Sequence, residues 1–249
     1  ISLFLGSYPG KEKKMTQPKR LIFRIKDLEK SFGSHQTVNI GKLDIHPGTI
    51  YGIIGNVGSG KTTLLNLLAG NVKPTSGFLY YDNNPYETNW LGKIVPNSEI
   101  FFAGKTGILN SSKSVASFIT NQFGNKKNVV QKRYFSKGGF QNIWERNLSK
   151  LTNGELHWLG MVLAIESDPR VLLINDYGIY FDSSMEKNFR SQLISMNRKL
   201  GTTIVLAAPS DIHLGKFSSV LVYLDNGHIS RIRPGLTGKP GKKRRRRSR

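Results

Sequence analysis

The sequence Gly55-Asn56-Val57-Gly58-Ser59-Gly60-Lys61-Thr62 decides the fold. It matches the pattern Gly-x-x-x-x-Gly-Lys-[Ser/Thr], in which a glycine-rich backbone surrounds phosphate groups. The apolar residues 50–54 before it predict a buried strand, and residues 63–70 after it predict a helix that ends at a glycine. A strand and a helix on the two sides are the context that the pattern requires, so the sequence predicts a phosphate-binding loop.

The residue types of this loop suit a polyphosphate. Gly55, Gly58 and Gly60 allow positive φ and a close approach of backbone N–H groups, and the following helix adds its positive dipole end. Lys61 is predicted to reach the β- and γ-phosphates, and the Thr62 hydroxyl to ligate Mg²⁺. The predicted contacts to the triphosphate come from Gly55, Asn56, Gly58, Ser59, Gly60, Lys61, Thr62 and Thr63. The alternative is a tight turn with only a structural role, but eight matching positions and both flanks favour phosphate binding.

Composition limits the class of protein. The chain has 249 residues, 38% of them hydrophobic, 10% aromatic and 21% charged, which suits one large α/β domain or a core with an inserted lobe. Cysteine is absent, and the five histidines show no metal-ligand spacing. No apolar run approaches the roughly 18 residues of a membrane span, so a role at a membrane would be that of a peripheral subunit.

The chain is strongly basic. Its formal net charge is +21, and eight of the positive charges lie in the last fifteen residues, so the excess is not confined to that end. A basic run beside Gly and Pro is typical of a solvated, disordered tail. Acidic lipid headgroups, RNA or an acidic protein are the alternative partners of these charges.

We expect three segments along the chain. They are an N-terminal extension over 1–20, a domain over 21–233 with a mostly helical lobe inserted at about 101–160, and a basic disordered tail over 234–249. Met15 resembles a natural start, and residues 1–14 are then either an upstream extension or the remnant of a targeting segment.

Buried strands alternate with helices through most of the domain. This order predicts an α/β fold with a mainly parallel sheet covered on both faces, preceded by antiparallel strands. The predicted strands are 21–25, 38–46, 50–54, 78–82, 170–174, 202–207, 220–224 and 228–233, with another that ends at 94–97. The predicted helices are 63–70, 115–123, 142–147, 155–167 and 183–200.

With these motifs in order, the span from 21 to 233 resembles the ATP-binding subunit of the ABC transporter family, a P-loop NTPase. Phe32 matches the aromatic residue that stacks on adenine, and Asn97 falls where the family's coupling-loop glutamine sits. The family signature, which caps a nucleotide held by the opposite subunit, is matched by Leu151, Thr152, Asn153, Gly154 and Glu155. Residues 171–176 match the Walker B strand, and Asp182 matches the D-loop aspartate, which also acts across the dimer.

The resemblance also shows where this chain departs from its family. Asn175 precedes Asp182 by seven positions, as the metal-binding aspartate does in the family, so Asn175 takes that place and Asp176 takes the place of the catalytic glutamate. Asn175 keeps the shape of aspartate but loses its charge, which weakens the predicted metal site formed with Thr62 and Asn97. Asp176 is one methylene shorter than glutamate, and a displacement near 1 Å can cost around 10²-fold in rate.

Two more family positions are altered. Asn97 is shorter than glutamine by a methylene, and residues 208–211, where the family's switch histidine falls, contain no histidine, the nearest being His213. Asn153 replaces the first signature glycine, although asparagine tolerates left-handed backbone. The resemblance therefore implies a site that binds ATP and Mg²⁺ and hydrolyses ATP slowly or not at all. In this site, Asp176 is a weak candidate for the catalytic base, and Asn97 is a second catalytic residue. The alternative is a divergent but active ATPase.

The resemblance implies a dimer that sandwiches two ATP molecules and drives a transmembrane subunit from the cytoplasmic or organelle-matrix side of a membrane. Because the altered residues act on the chain's own nucleotide, a second, different ATPase subunit is favoured over a homodimer. A second hypothesis is an inert or nucleotide-gated structural subunit of a large assembly, which uses its basic surfaces to contact RNA, lipid or protein. A soluble ABC protein acting on ribosomes or DNA is third, because such proteins usually carry tandem domains or a coiled-coil insertion.

Overall fold

The computed structural model describes residues 20–103, 112–136 and 138–235. The strands are β1 Phe23–Phe32, β2 His35–Ile45, β3 Ile50–Ile54, β4 Ser76–Tyr81, β5 Asn84–Pro85, β6 Ile100–Ala103, β7 Val171–Ile174, β8 Thr203–Ala208, β9 Val220–Asp225 and β10 His228–Pro234. The α-helices are α1 Lys61–Leu68, α2 Val115–Phe123, α3 Lys127–Tyr134, α4 Asn153–Glu166 and α5 Ser183–Leu200. Within the described ranges, no helix combines the length and the apolar character needed to cross a bilayer.

The strands form two sheets. Sheet A is antiparallel, with the order β2-β1-β4-β5, and sheet B has the order β10-β9-β3-β8-β7-β6. In sheet B, β3, β6, β7, β8 and β9 pair in parallel, and only β10 runs antiparallel to its neighbour. This confirms the predicted α/β class, with a mainly parallel sheet beside an antiparallel subdomain.

Side chains of the parallel strands alternate between two apolar cores. Tyr51 and Ile53 of β3 belong to the core shared with α1 and sheet A, whereas Ile50 and Ile54 belong to the core shared with α4 and α5. Both faces of sheet B are therefore covered, as the continuous apolar strand sequences predict. The carboxyl ends of β3, β7 and β8 meet at one edge of the sheet, which is where ligands bind in such folds.

One predicted strand lies elsewhere in the chain. The strand expected to end at 94–97 is instead β6, which begins at Ile100 and pairs with β7. Pro96 cannot donate a backbone hydrogen bond, which disfavours a central strand at that point. Phe101 and Phe102 therefore belong to sheet B rather than to the helical lobe, and residues 104–111 lie outside the described residues.

The lobe contains one helix that was predicted and one that was not. Helix α2 confirms the prediction over 115–123, but 142–147 is not an α-helix, because Gly138–Ile143 forms a 3-10 helix and the chain then turns. Helix α3 buries only Val130 and Tyr134, so its apolar stripe is too narrow to stand out among polar neighbours. The limits of the lobe stay predictions. Of the predicted extension over 1–20 and the predicted tail over 234–249, residues 1–19 and 236–249 lie outside the described residues.

Strand β1 extends beyond the predicted strand 21–25 and contains a β-bulge. Asp27 has a positive φ of 47°, and the register of β1 against β4 shifts between Lys26 and Glu29. Gly77 lies opposite the bulge with a φ of 80°, and a Cβ atom at Gly77 would lie 1.9 Å from the Asp27 carbonyl oxygen. Only glycine fits at this position, because any side chain would collide with backbone.

We expect Gly77→Ala to lower the free energy of unfolding by about 3 kcal/mol or more, because the clash with the Asp27 carbonyl adds to the cost of positive φ. Gly33→Ala is the matched control: Gly33 also has a positive φ, of 60°, but has open space around it. The control should cost only about 1–2 kcal/mol. Urea denaturation of the three proteins measures the difference, and equal losses would show that the bulge does not constrain residue 77.

Candidate functional site

The glycine-rich loop joins the carboxyl end of β3 to the start of α1. Gly58 and Gly60 have φ angles of 85° and 96°, which other residues rarely adopt. A Cβ atom at Gly55 would lie 2.4 Å from both the Leu224 carbonyl oxygen and the Ser59 Oγ. The loop is thus closely fitted to the sheet, with the first turn of α1, which includes Thr63, directly behind it.

Lys61 is held inside this loop. Its Nζ donates hydrogen bonds to the carbonyl oxygens of Gly55 and Asn56, both at 2.7 Å, and contacts Ser59 Oγ at 3.3 Å. Only 8% of the residue is exposed. Burial lowers the pKa of the Lys61 ammonium below its usual value, and the negative charge of Asp176 opposes part of that effect. The loop therefore encloses a preorganised cation where the sequence predicts phosphate.

Thr62, Asn175 and Asp176 form a hydrogen-bonded chain at the end of β7. Thr62 Oγ1 donates to Asn175 Oδ1 at 3.2 Å, and Asn175 Nδ2 donates to Asp176 Oδ2 at 3.1 Å. An aspartate at position 175 could not donate to Asp176, and two adjacent carboxylates would repel each other. Asn175 therefore holds both the metal-site hydroxyl and the neighbouring carboxylate in place.

Asp176 has an unusual backbone. Its φ is 56°, a left-handed value that aspartate tolerates better than most residues, and the next residue, Tyr177, donates its N–H to the Ala207 carbonyl at 2.9 Å. The Ala208 carbonyl in turn accepts from the Gly55 N–H at 3.4 Å. Sequence reasoning missed these backbone contacts, which tie β8 to both sides of the site, because no side-chain pattern encodes them.

The oxygen donors beside Lys61 suit Mg²⁺ only in part. The Thr62 hydroxyl and the Asn175 amide oxygen are neutral, and Asp176 supplies the carboxylate. In the described ranges, no group of three or more His, Asp or Glu side chains is placed to hold a metal ion. Mg²⁺ often relies on substrate phosphates for several of its ligands, so these residues fit a metal that arrives with a nucleotide.

Asn97 lies at the wrong edge of the sheet for the role predicted for it. It precedes β6, whose first residue, Ile100, pairs with Val171 at the amino end of β7, whereas Asn175 follows the carboxyl end. The Ile100 N–H donates to the Asn97 carbonyl at 3.1 Å, so a turn joins Asn97 to β6, and the four residues of β6, roughly 13 Å of strand, separate that turn from the carboxyl edge. The prediction that Asn97 ligates Mg²⁺ and assists catalysis is therefore wrong. The position that follows the carboxyl end of β6 lies in 104–111, outside the described residues.

Asn97 instead lines a separate cavity of about 490 Å³ beside an ion-pair cluster. Arg170 donates to Asp82 Oδ2 at 2.8 Å and to Glu99 Oε2 at 2.9 Å, and Arg20 also pairs with Asp82 at 3.2 Å. Hydrogen bonds from Arg20 and Arg170 hold the pKa of Asp82 below its usual value. This cluster, which we call the Arg170 clasp, joins sheet A to the start of β7.

The predicted signature segment forms a capped helix start. Leu151 is buried, and Thr152 is the N-cap of α4: its Oγ1 accepts from the Glu155 N–H at 3.3 Å, while the Thr152 N–H donates to Glu155 Oε2 at 2.8 Å. Asn153 is the first residue of the helix, so the left-handed tolerance expected of it is not used. A Cβ atom at Gly154 would lie 4.0 Å from Tyr180, which leaves one side of this turn open.

Asp182 and Phe32 are the two remaining residues that the sequence predicts for the site. Asp182 is the N-cap of α5, where its Oδ1 accepts from the backbone N–H groups of Ser184 and Met185, both at 2.8 Å. Phe32 ends β1 with 52% of its surface exposed, and the Lys30 Nζ lies 4.8 Å from its ring centroid. An exposed ring beside a cation is suited to stacking on a planar ligand.

His213 packs away from the phosphate loop. Its Nδ1 lies 3.9 Å from an oxygen of the buried Glu186, and a Cβ atom at Gly178 would lie 2.8 Å from its ring. His213 therefore supports the turn after Asp176 rather than reaching the place of a γ-phosphate.

Comparisons with known proteins agree with this geometry. A family model described as "ABC transporter" matches residues 38–176. The methionine import ATP-binding protein MetN of Chlamydia caviae is 26% identical over 225 residues, which cover 86% of this chain and 65% of that protein. The spermidine/putrescine import ATP-binding protein PotA of Bacillus anthracis is 26% identical over 222 residues, covering 85% and 65%. The chain thus spans slightly less than two thirds of the length of these relatives.

Solved structures show the same fold. The dimeric bacterial ABC transporter cassette MJ0796 superposes with a TM-score of 0.71 at 18% identity, covering 85% of this chain and 98% of that one. The cbiO1 protein of Clostridium perfringens, part of the ABC transporter complex cbiONQ, gives a TM-score of 0.66 at 18% identity, covering 86% and 88%.

The capping box of α4 predicts a pH-dependent contribution to stability. Burial alone would raise the pKa of Glu155, but the hydrogen bonds from Thr152 and the ion pair with Arg146 outweigh burial and lower the pKa. The stabilisation is therefore present above the ordinary value of 4.5 and is lost as the pH falls through the lowered pKa of the folded state. We expect Glu155→Gln to destabilise the protein by about 1 kcal/mol at pH 7, a difference that shrinks as the pH falls below 4.5 and is lost once the carboxylate of the folded protein is protonated.

Chemical denaturation at a series of pH values measures this effect. Glu145→Gln is the control, because Glu145 is an exposed glutamate on the preceding turn. A difference for Glu155→Gln that persists in acid would show that its carboxylate charge is not what stabilises the helix start.

Proposed function

This chain belongs to the ABC transporter family, and on that premise we propose that it is an ATP-binding subunit which closes as a dimer and drives a membrane partner, with weak hydrolysis at its own site. One observation carries the proposal. An intact glycine loop with Lys61 at its centre lies beside a Walker B end where Asn175 has replaced the metal-binding carboxylate and is hydrogen-bonded to Asp176.

ATP binding is supported by the loop residues. Lys61 would exchange its bonds with the Gly55 and Asn56 carbonyls for phosphate oxygens, and the N–H groups of the loop would surround the same phosphates. Thr62 and Asn175 would hold Mg²⁺ through neutral oxygens, and Phe32 would stack on the base. When bound, MgATP supplies the terminal phosphoanhydride bond on which the site would act.

Weak hydrolysis is supported by the carboxylate itself. Asp176 is shorter than glutamate, and its Oδ2 already accepts a hydrogen bond from Asn175. A carboxylate that is held by a neighbour is a poorer acceptor for the proton of an attacking water. His213 contacts Gly178 and Glu186, so it does not supply a second polar group at the phosphate end.

The partner proposal rests on the contrast between the two halves of the site. The segment Leu151, Thr152, Asn153, Gly154 and Glu155 is preorganised by its capping box and could complete a site on another subunit, whereas the chain's own hydrolytic residues are altered. Asp182 would join that contact from the start of α5. We therefore favour a heterodimer on the cytoplasmic or organelle-matrix side of a membrane, docked to a transmembrane subunit. The transported substrates named for MetN and PotA belong to those proteins.

We expect the purified protein to bind ATP with negligible turnover. Lys61→Ala should weaken binding by at least tenfold, because it removes the only side-chain cation that the described loop encloses. The paired substitution Asn175→Asp with Asp176→Glu should raise turnover by about 10²-fold, because it restores the charge and the length that hydrolysis needs. Equilibrium binding of a fluorescent ATP analogue and phosphate release measure the two effects. Rapid turnover by the unaltered chain that Asp176→Ala abolishes would contradict weak hydrolysis.

We expect the chain alone to remain monomeric in saturating MgATP. Sedimentation velocity at several protein concentrations measures this, with the Asn175→Asp and Asp176→Glu double variant as a comparison. A stable dimer of the unaltered chain that forms only with MgATP would support a homodimer and contradict the heterodimer.

A further inference from the structure

The outward face of sheet A combines cations and aromatic rings in two cross-strand rows. One row is Asp44, Arg24 and Tyr80, and the other is Lys42, Lys26 and Phe78, each taken in the order β2, β1, β4. The intervening residues Ile25, Leu43 and Leu79 point into the core. We call Arg24, Lys26, Lys42, Phe78 and Tyr80 the basic aromatic face.

The cations of this face are poorly neutralised. Lys26 lies directly opposite Lys42, an arrangement of like charges that destabilises a sheet. Asp44 pairs with Lys42 at 3.7 Å, but among the described residues neither Arg24 nor Lys26 forms an ion pair. These side chains line a groove of about 400 Å³ between β1 and β2. Asp27 and Asp44 also line the groove, so its three cations exceed its carboxylates by one positive charge.

The two aromatic rings of the face lie beside each other at the surface. Phe78 is 55% exposed, and its ring lies parallel to that of Tyr80, with the centroids 6.2 Å apart and the planes within 9°. Tyr80 is half-buried. Aromatic rings at the surface beside a groove with excess positive charge are the two elements of a platform for single-stranded nucleic acid: cations follow the phosphates, and the bases stack on the rings. The bulge at Asp27 and the close fit of Gly77 fix the strands that carry both elements.

We propose that the basic aromatic face binds single-stranded RNA. Its phosphates lie along the groove formed by Arg24, Lys26 and Lys42, and its bases stack on Phe78 and Tyr80. A duplex hides its base faces, so it cannot use the rings. Asp27 and Asp44 in the groove repel phosphate. The Oδ1 of Asp44 is buried, but its Oδ2, which pairs with Lys42, can also accept a hydrogen bond from a ribose 2′-hydroxyl, which DNA lacks, and this favours RNA.

The stacking half of the proposal is tested on the full chain with a labelled 12-nucleotide single-stranded RNA, by fluorescence anisotropy in excess MgATP to occupy the phosphate loop. Phe78→Ala and Tyr80→Ala should each weaken binding by about tenfold. Trp90→Ala is the control, because Trp90 is 91% exposed on a different loop. The affinity of this variant for the RNA should equal that of the unaltered chain. The thermal midpoint of each variant verifies that it is folded.

The charge half is tested with two matched pairs. The first pair is Gly41→Glu, in the groove, and Gly215→Glu, far from it; an added Cβ atom would have nothing within 4 Å at either position. Gly41→Glu should abolish most binding because its carboxylate repels phosphate, and Gly215→Glu should not. Lys26→Gln should reduce the slope of log affinity against log salt by about 0.7, whereas Lys132→Gln on α3 should leave it unchanged.

The arginine-rich segment 242–249 is the same in every variant, so differences between variants report on the face. Face variants that bind as well as the unaltered chain would overturn the proposal. Equal affinity for DNA of the same sequence or for duplex RNA would also overturn it, as would complete displacement of the RNA by MgATP. Binding to phosphatidylserine vesicles that needs the same side chains, without binding to RNA, would assign the face to a membrane instead.

Discussion

The parallel pairing of β3, β7 and β8 is the constraint on which the site depends. It places the carboxyl ends of three strands at one edge, so that residues far apart in sequence meet there. Lys61 and Thr62 follow β3, Asn175 and Asp176 follow β7, and the Ala208 carbonyl ends β8. Hydrogen bonds join each of these strand ends to the next, so we expect a substitution at one strand end to disturb the position of the others.

Asn175 illustrates that coupling. In the sequence alone, asparagine at position 175 indicates only a weaker metal site, because the carboxylate expected there is absent. In the structure, the amide group accepts from Thr62 and donates to Asp176, which aspartate cannot do. The two residues therefore form a consistent arrangement, in which the carboxylate at 176 keeps its charge and is held in place by a hydrogen bond from Asn175. This arrangement supports the proposal that the site holds a nucleotide better than it cleaves one.

Local sequence predicted most of the fold and the phosphate loop, because strand, turn and helix signals there lie within about twenty residues and each has its own physical cause. Asn97 was misplaced because its role depends on the register between β6 and β7, which is set by pairing with a distant segment. Helix α3 was missed because only Val130 and Tyr134 are buried on it. The basic aromatic face was not predicted for a related reason. Its rows depend on the pairing of β1 with β2 and β4, and the bulge at Asp27 interrupts the register of β1.

The Arg170 clasp connects sheet A to the strand that ends at Asn175. Arg170 is bonded to Asp82 of the sheet A region and to Glu99 before β6, and it directly precedes β7. β7 has only four residues, roughly 13 Å of extended chain, and Asn175 follows its other end. This short strand pairs with β6 on one side and with β8 on the other. The ion pairs that anchor sheet A and the side chains beside Lys61 are therefore attached to the two ends of a single four-residue strand.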